Sequence, residues 1–384
     1  MADLKEIIKL HERATGVLDI SSELPVKNAT DLGKAYTPGV AGISKLIAAQ
    51  PDMKRKLTLS GKLVAVVTDG SAVLGLGNIG PAGGLPVVEG KSLLYKDLAG
   101  VNALPIAVDQ VPVDEFVATI KNTAKSFAGI HLEDIAAPRC FEIEDKLKQA
   151  LDIPVYHDDQ EGTAIVVLAG LINAAKVAGK ALADLKVVVN GVGASGIATA
   201  KLLYAAGIHH LTLVDKLGLV TPDDTDYNAY QRGLAQQVGE TRAAKTPLAD
   251  VMTNQDAFIG LSDAHVLTGA DVDHMAANPI IFALANPVPE IDPQEAHDHH
   301  VGVMATGSSQ YPNQVNNILV FPGLFSGLLA SGLTAVNADL EASVAHALAG
   351  MIAQPTADKI IPSVFDDGVV STVTAAVEAF AQKD

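Results

Sequence analysis

Tryptophan is absent from this chain of 384 residues, aromatic residues make up only 4%, and Cys140 is the single cysteine. A lone cysteine excludes an intrachain disulfide and fits a reducing compartment, so the cytoplasm is the expected location. Basic residues are also few, 27 against 44 acidic ones, for a net charge of −17. That balance leaves no basic stripe to follow a phosphate backbone and repels anionic lipid, so neither nucleic acid nor a membrane is expected as a partner. An anionic substrate would be repelled too, unless a metal or a local cation met it. The N-terminus, Met1-Ala2-Asp3-Leu4-Lys5-Glu6, lacks the basic and apolar segments of a secretory signal. The longest uncharged run, residues 318–336, has the length of a membrane span, but Pro322 and three glycines point to a buried loop and a tight helix.

Against these absences stands a hydrophobic content of 48%, enough for two cores in a globular chain. Residues 3–12 read as a helix, and Leu24-Pro25 and Thr37-Pro38-Gly39-Val40 as extended, turn-rich chain. Apolar, β-branched strands are expected at 63–68, 104–109, 130–135 and 153–156. Helices are expected from Glu89-Gly90-Lys91 to about Leu98 and over 113–128 and 139–151. Such βα alternation implies a parallel sheet whose ligand sites lie at the carboxyl ends of its strands. A long apolar helix over 162–179 leads to a second α/β unit, with strands at 186–190, 211–215, 257–260, 280–284 and 301–304 and an Ala-rich helical tail from Asn337. The fold class is therefore α/β in two domains: residues 1–160 for substrate and metal, and residues 161–384 as a doubly wound, Rossmann-type dinucleotide-binding domain with C-terminal helices.

Two stretches match the G-x-G-x-x-G fingerprint. Gly191-Val192-Gly193-Ala194-Ser195-Gly196 follows a strand, opens a helix, and is followed by Asp215 at the end of the next strand. That context supplies a tight turn, close backbone approach to a pyrophosphate, a helix N-terminus facing the negative charge, and a carboxylate for the ribose hydroxyls. Asp215 favours NAD because it repels a 2′-phosphate, while Lys216 beside it makes NADP tolerable. The other match, Gly75-Leu76-Gly77-Asn78-Ile79-Gly80, precedes Pro81, Gly83, Gly84 and Pro86, which argue against a helix there, so it reads as a shaped active-site loop.

Glu133-Asp134 and Asp158-Asp159 place four carboxylates at two strand ends. Such buried acid needs a cation, and hard oxygen donors suit Mg²⁺ or Mn²⁺. Lys91 follows the glycine loop. It is a second candidate to meet these acids, and as a base its pKa would respond to them and to a metal. Lys96, further along the same helix, reads as a surface lysine. His297, His299 and His300 read as a polar loop, and Cys140 as a small core residue.

Several stretches in order carry a family resemblance: Ala35-Tyr36-Thr37-Pro38-Gly39-Val40, Val67-Thr68-Asp69-Gly70 through Gly80, Glu89-Gly90-Lys91, Leu132-Glu133-Asp134-Ile135, His157-Asp158-Asp159-Gln160-Glu161-Gly162-Thr163, Ala285-Asn286-Pro287, and Pro312-Asn313-Gln314-Val315-Asn316-Asn317. The chain resembles the short bacterial malic enzymes over nearly its whole length. The resemblance implies oxidative decarboxylation of L-malate to pyruvate and CO₂ with NAD(P)⁺ as oxidant. It implies a divalent metal on Glu133, Asp134 and Asp159, and Lys91 as the base with Asp158 beside it. Tyr36 would assist protonation at C3, Asn286 and Asn317 would contact the substrate carboxylates, with Asn286 also near the cofactor, and the chain would form a homodimer. The alternatives are an oxaloacetate decarboxylase on the same scaffold and a degenerate nucleotide-sensing module. The chain departs from the family in having Ser71-Ala72 where larger members carry a substrate-binding arginine, Ser326 where related short enzymes carry another, and Gln160-Glu161 in place of Ile-Gln.

Overall fold

A computed structural model describes residues 3–383. Four strands form the first sheet: β1 (Leu63–Thr68), β2 (Asn102–Ala107), β3 (Gly129–Glu133) and β4 (Val155–His157). All pair in parallel, in the order β2-β1-β3-β4. The continuous apolar character of β1 follows from burial on both faces, and β2 tolerates Pro105 because it lies at an edge. Six strands form the second sheet: β5 (Lys186–Asn190), β6 (His210–Asp215), β7 (Gly218–Leu219), β8 (Ala257–Gly260), β9 (Ile280–Ala283) and β10 (Val303–Thr306). Their order is β10-β9-β8-β5-β6-β7, parallel except for β7. The chain reverses direction of winding at β5, between β6 and β8, the place where a doubly wound sheet opens a ligand crevice.

The helix Thr163–Ala178 joins the sheets. Thirteen of its residues are buried; together with the preceding turn it is long and apolar enough to cross a membrane by length and composition, but it is packed as a core helix. It ends on Gly179 at φ 71°, a left-handed cap that favours glycine. The 318–336 run forms a short 3₁₀ turn and the helix Phe321–Ser331, as its proline and glycines suggested.

The few aromatics are concentrated. Tyr95 lies edge-on to Phe321 (4.9 Å between centroids) and Phe325 (5.5 Å), and Tyr156 meets Phe325 at 5.9 Å. The helix Phe321–Ser331 therefore packs back onto the first sheet, and residues late in the chain help form the core beneath the acidic cluster.

Two local expectations are corrected. The segment after Gly80 is helical from Gly80 to Ala99. Pro81 sits in the first turn, where its missing N–H is no loss, and the helix continues through Pro86 despite the hydrogen bond forfeited there. Of the stretches expected to be extended and turn-rich, Leu24-Pro25 and Thr37-Pro38 lie outside regular elements, but Gly39 and Val40 open the helix Gly39–Ala49. Between the two stretches lies the helix Ala29–Ala35, capped by Asn28, whose side chain accepts from Asp31 N at 2.9 Å. Smaller shifts occur at strand ends, where β10 begins two residues later than the apolar pattern suggested.

Candidate active site

β3 delivers Glu133 as its last residue and Asp134 just beyond, with Asp134 at φ 55°, a strained left-handed conformation for a non-glycine residue. β4 ends at His157, and Asp158 to Gly162 then form a single π-helical turn before the long helix. This wider turn presents Asp158 and Asp159 on the strand ends. Glycine is required at 162, because a Cβ there would lie 2.3 Å from the Tyr156 hydroxyl and 2.4 Å from Asp158 Oδ1.

Lys91 projects from the Gly80–Ala99 helix into this acid. Its ammonium donates to Asp158 Oδ2, lies 3.2 Å from Glu133 Oε1, and sits 4.8 Å from the Phe321 ring centroid. Burial alone would lower the lysine pKa, but Asp158 and Glu133 outweigh it and hold the ammonium well above its ordinary value. For Asp158, burial pushes upward, and Lys91 with the Tyr156 hydroxyl, which donates at 2.6 Å, draws the carboxyl below its ordinary range.

Glu133, Asp134 and Asp159 lie with one carboxylate oxygen each within 4.8 Å of the others. The Asp134 N–H donates to Asp159 Oδ2 at 2.9 Å, while buried Asp134 Oδ2 has no partner among the described residues. Burial first, and then mutual repulsion, raises the pKa of Asp134 and Asp159; burial also raises Glu133 against the pull of Lys91. A cluster of hard oxygens, short of positive charge and with an orphaned buried oxygen, fits a divalent cation.

Beneath it lie residues that the sequence reading did not single out. His131 is fully buried, and burial pulls its pKa down to about 3, so the ring is neutral. The Tyr95 hydroxyl donates to its Nδ1 at 2.8 Å, leaving Nε2–H to donate to Glu133 Oε2 at 2.7 Å. The signal available in sequence was alternation: His131 and Glu133 are two apart on one strand and share a face. Tyr156 and Asp158 have the same spacing, although the π turn intervenes.

These groups open on a cavity of about 420 Å³. Its walls include Lys91, Glu133, Asp134 and Asp159 from the first 160 residues and Ser195, Ser262, Asn286 and Asn317 from the remainder of the chain. Lys91 is the one basic residue among them. Ser71 does not substitute for the missing arginine as a carboxylate contact, since its hydroxyl donates to Asp69 Oδ1 at 2.5 Å and accepts from Ala136 N at 2.8 Å. Arg139 is held by Asp69 (3.3 Å) and the Val111 carbonyl (2.9 Å). Ser326 lines a different, open groove with Leu98 and Phe365. Tyr36 is not part of this cavity; it is 67% exposed, at the end of the Ala29–Ala35 helix.

The Gly191 loop closes the far side. Gly191 has φ 98° and leaves no room for a Cβ, which would lie 2.4 Å from the Leu261 carbonyl; a Cβ on Gly196 would lie 1.7 Å from the Gly191 carbonyl. Val192 is buried, and Gly193 is the N-cap of the helix Ala194–Ala205, which has no side-chain cap, so its first N–H groups remain available to an anion. Asp215 ends β6 and borders a separate cavity of about 400 Å³ with Asn190, Lys216 and Ser262. These features match the steric and electrostatic needs of a dinucleotide.

Residues 18–148 match the malic enzyme N-terminal domain, and residues 160–381 match the malic enzyme NAD binding domain. The chain belongs to the malic enzyme family. It is 48% identical to a NAD-dependent malic enzyme of Geobacillus stearothermophilus over 94% of this chain and 76% of that one. It is 45% identical to a bifunctional malic/malolactic enzyme of Bacillus subtilis, covering 99% of this chain and 93% of the relative. Its structure superposes on the NAD-dependent malic enzyme of Thermotoga maritima with a TM-score of 0.93, at 38% identity over 98% of this chain and 99% of that one. The malic enzyme fold thus accounts for both sheets. Elsewhere, Lys96 donates to Asn102 Oδ1 at the surface, as expected. The stretch expected to be a polar loop is instead partly helical: His297 lies in the last turn of the helix Pro293–Asp298, and His299, its C-cap, pairs with Asp273. Cys140 is buried, its thiol pushed up to about 12 chiefly by burial, as suits a core residue.

Proposed function

We propose that this malic enzyme converts L-malate to pyruvate and CO₂ with NAD⁺ as the preferred oxidant, using Mn²⁺ or Mg²⁺ bound by Glu133, Asp134 and Asp159. The observation that carries this reading is one cavity bounded by Lys91, the three acids and the glycine-loop side of the nucleotide domain. When bound, the nicotinamide supplies a hydride acceptor and the divalent ion supplies Lewis acidity toward developing negative charge.

The chain's own residues have separate tasks. Lys91 takes the proton of the C2 hydroxyl, and Asp158, anchored by Tyr156, holds the lysine in place for it. Positive charge arriving at Glu133, Asp134 and Asp159 opposes the carboxylates that now keep Lys91 protonated, which frees it to act as a base. His131 and Tyr95 hold Glu133 in orientation. Asn286 and Asn317 contact the substrate carboxylates through neutral donors, so the positive charge that an arginine would otherwise bring would come from the divalent ion held by Glu133, Asp134 and Asp159. Asp215 receives the adenosine ribose hydroxyls and disfavours a 2′-phosphate. On this division residues 1–160 serve substrate and metal, and residues 161–384 serve the nucleotide.

Tyr36 acts from a second copy of the chain. Supporting this is the N-terminal arm itself: its helices Leu4–Ala14, Ala29–Ala35 and Gly39–Ala49 contain no buried residue, yet Leu4, Leu10, Leu24 and Leu32 are each at least half exposed. Such an apolar surface suits a homodimer, with Tyr36 delivered to the partner's cavity to protonate C3.

The test is product stoichiometry. With malate, Mn²⁺ and NAD⁺, pyruvate and NADH should form in equal amounts; consumption of oxaloacetate with no NADH from malate would favour a lyase instead.

A further inference from the structure

Glu290 is fully buried and has no part in the chemistry assigned above. Its Oε1 accepts from Ser262 N at 3.1 Å and its Oε2 from Ala285 N at 3.0 Å. These two N–H groups stand just past the ends of β8 and β9, where the ladder between Gly260 and Ala283 has closed with Leu284 N donating to the Gly260 carbonyl at 3.1 Å. Beyond that point the strands offer each other no acceptor, and the carboxylate spans the gap. Gly260 makes room for it, since a Cβ there would lie 2.4 Å from the Glu290 carboxyl carbon.

Both clamped residues belong to the site. Ser262 and Ala285 line the catalytic cavity, and Asn286 follows Ala285 directly. Ser262 also borders the cavity beside Asp215, and its hydroxyl accepts from Asn190 Nδ2 at 2.7 Å, one residue before the glycine loop.

We propose that Glu290 is a positioning residue, a two-toothed clamp that fixes the Leu261-Ser262 and Ala285-Asn286 corners relative to each other and so sets the spacing between nucleotide and substrate. The inference rests on the reading of these cavities as cofactor and malate sites. It acts through Ser262 and Asn286, not by touching the reactants.

Glu290→Gln keeps the volume but turns an amide NH₂ toward one of the two backbone N–H groups, leaving a buried donor unmet. The expected result is a rise of about tenfold or more in KM for NAD⁺ and for malate per folded molecule, with Mn²⁺ affinity unchanged. Glu290→Asp, which keeps both acceptors but withdraws them, should fall between. A lower melting temperature with both KM values unchanged would overturn the inference, as would failure of both variants to fold, which would make Glu290 a purely structural residue. The unaltered enzyme assayed in parallel separates this from the functional reading: if it does not reduce NAD⁺ with malate, that reading fails and not the clamp.

Discussion

The backbone N–H of Asp134 donates to the carboxylate of Asp159 at 2.9 Å, tying the end of β3 to the turn after β4. Two acids that repel each other are thus held side by side by the fold, and Asp134 adopts a left-handed φ of 55° to do so. Strain and repulsion of this kind are sustained because surrounding packing over-determines them, and a divalent ion would relieve the electrostatic part.

The pH dependence of metal affinity follows. Burial raises the pKa of Glu133, Asp134 and Asp159 in the metal-free site, so protons compete with the ion as pH falls. Mn²⁺ affinity should therefore climb between pH 6 and 8 and its binding should release protons. Calorimetry in buffers of different ionisation enthalpy measures that release; affinity independent of pH would contradict it. Asp159→Asn should weaken Mn²⁺ binding and leave NAD⁺ binding intact.

Coenzyme choice is assigned to Asp215. Replacement of Asp215 by serine removes the charge that a 2′-phosphate would meet, with Lys216 left alongside. The ratio of kcat/KM for NADP⁺ over NAD⁺ should rise by about tenfold or more, the size of one charge contact. Steady-state kinetics with both coenzymes checks this, and an unchanged ratio would move the discrimination elsewhere.

Tyr36 offers a test of assembly. Tyr36→Phe and Lys91→Ala homodimers should each be nearly inactive. Mixed and allowed to exchange subunits, they should recover activity, because one of the two sites in a heterodimer then has both residues. No recovery, with exchange verified by mass spectrometry, would place Tyr36 and Lys91 in the same chain's site.

Much of the site was legible in the sequence because its chemistry sits at strand ends, where apolar runs stop at acids: Glu133 closes β3, and Asp158-Asp159 follow β4. The Gly191 fingerprint was readable for the same reason, as it lies between a strand and a helix of ordinary pattern. The helix through Pro81 and Pro86 was not, because tertiary packing overrides the local cost of proline. Nor was the role of His131 and Tyr95, which depends on contacts between elements far apart in sequence. Glu290 was invisible too: a carboxylate after Pro-Val-Pro looks like loop acid until both of its N–H partners are in view.

The most direct measurement is turnover by Lys91→Ala with malate, Mn²⁺ and NAD⁺, alongside binding of both cofactors to the same variant. A positioned base contributes roughly 10²–10⁴-fold, so kcat should fall by about that factor while NAD⁺ and Mn²⁺ still bind. Lys91→Ala retaining full turnover with both cofactors bound would contradict the assignment of Lys91 as the base.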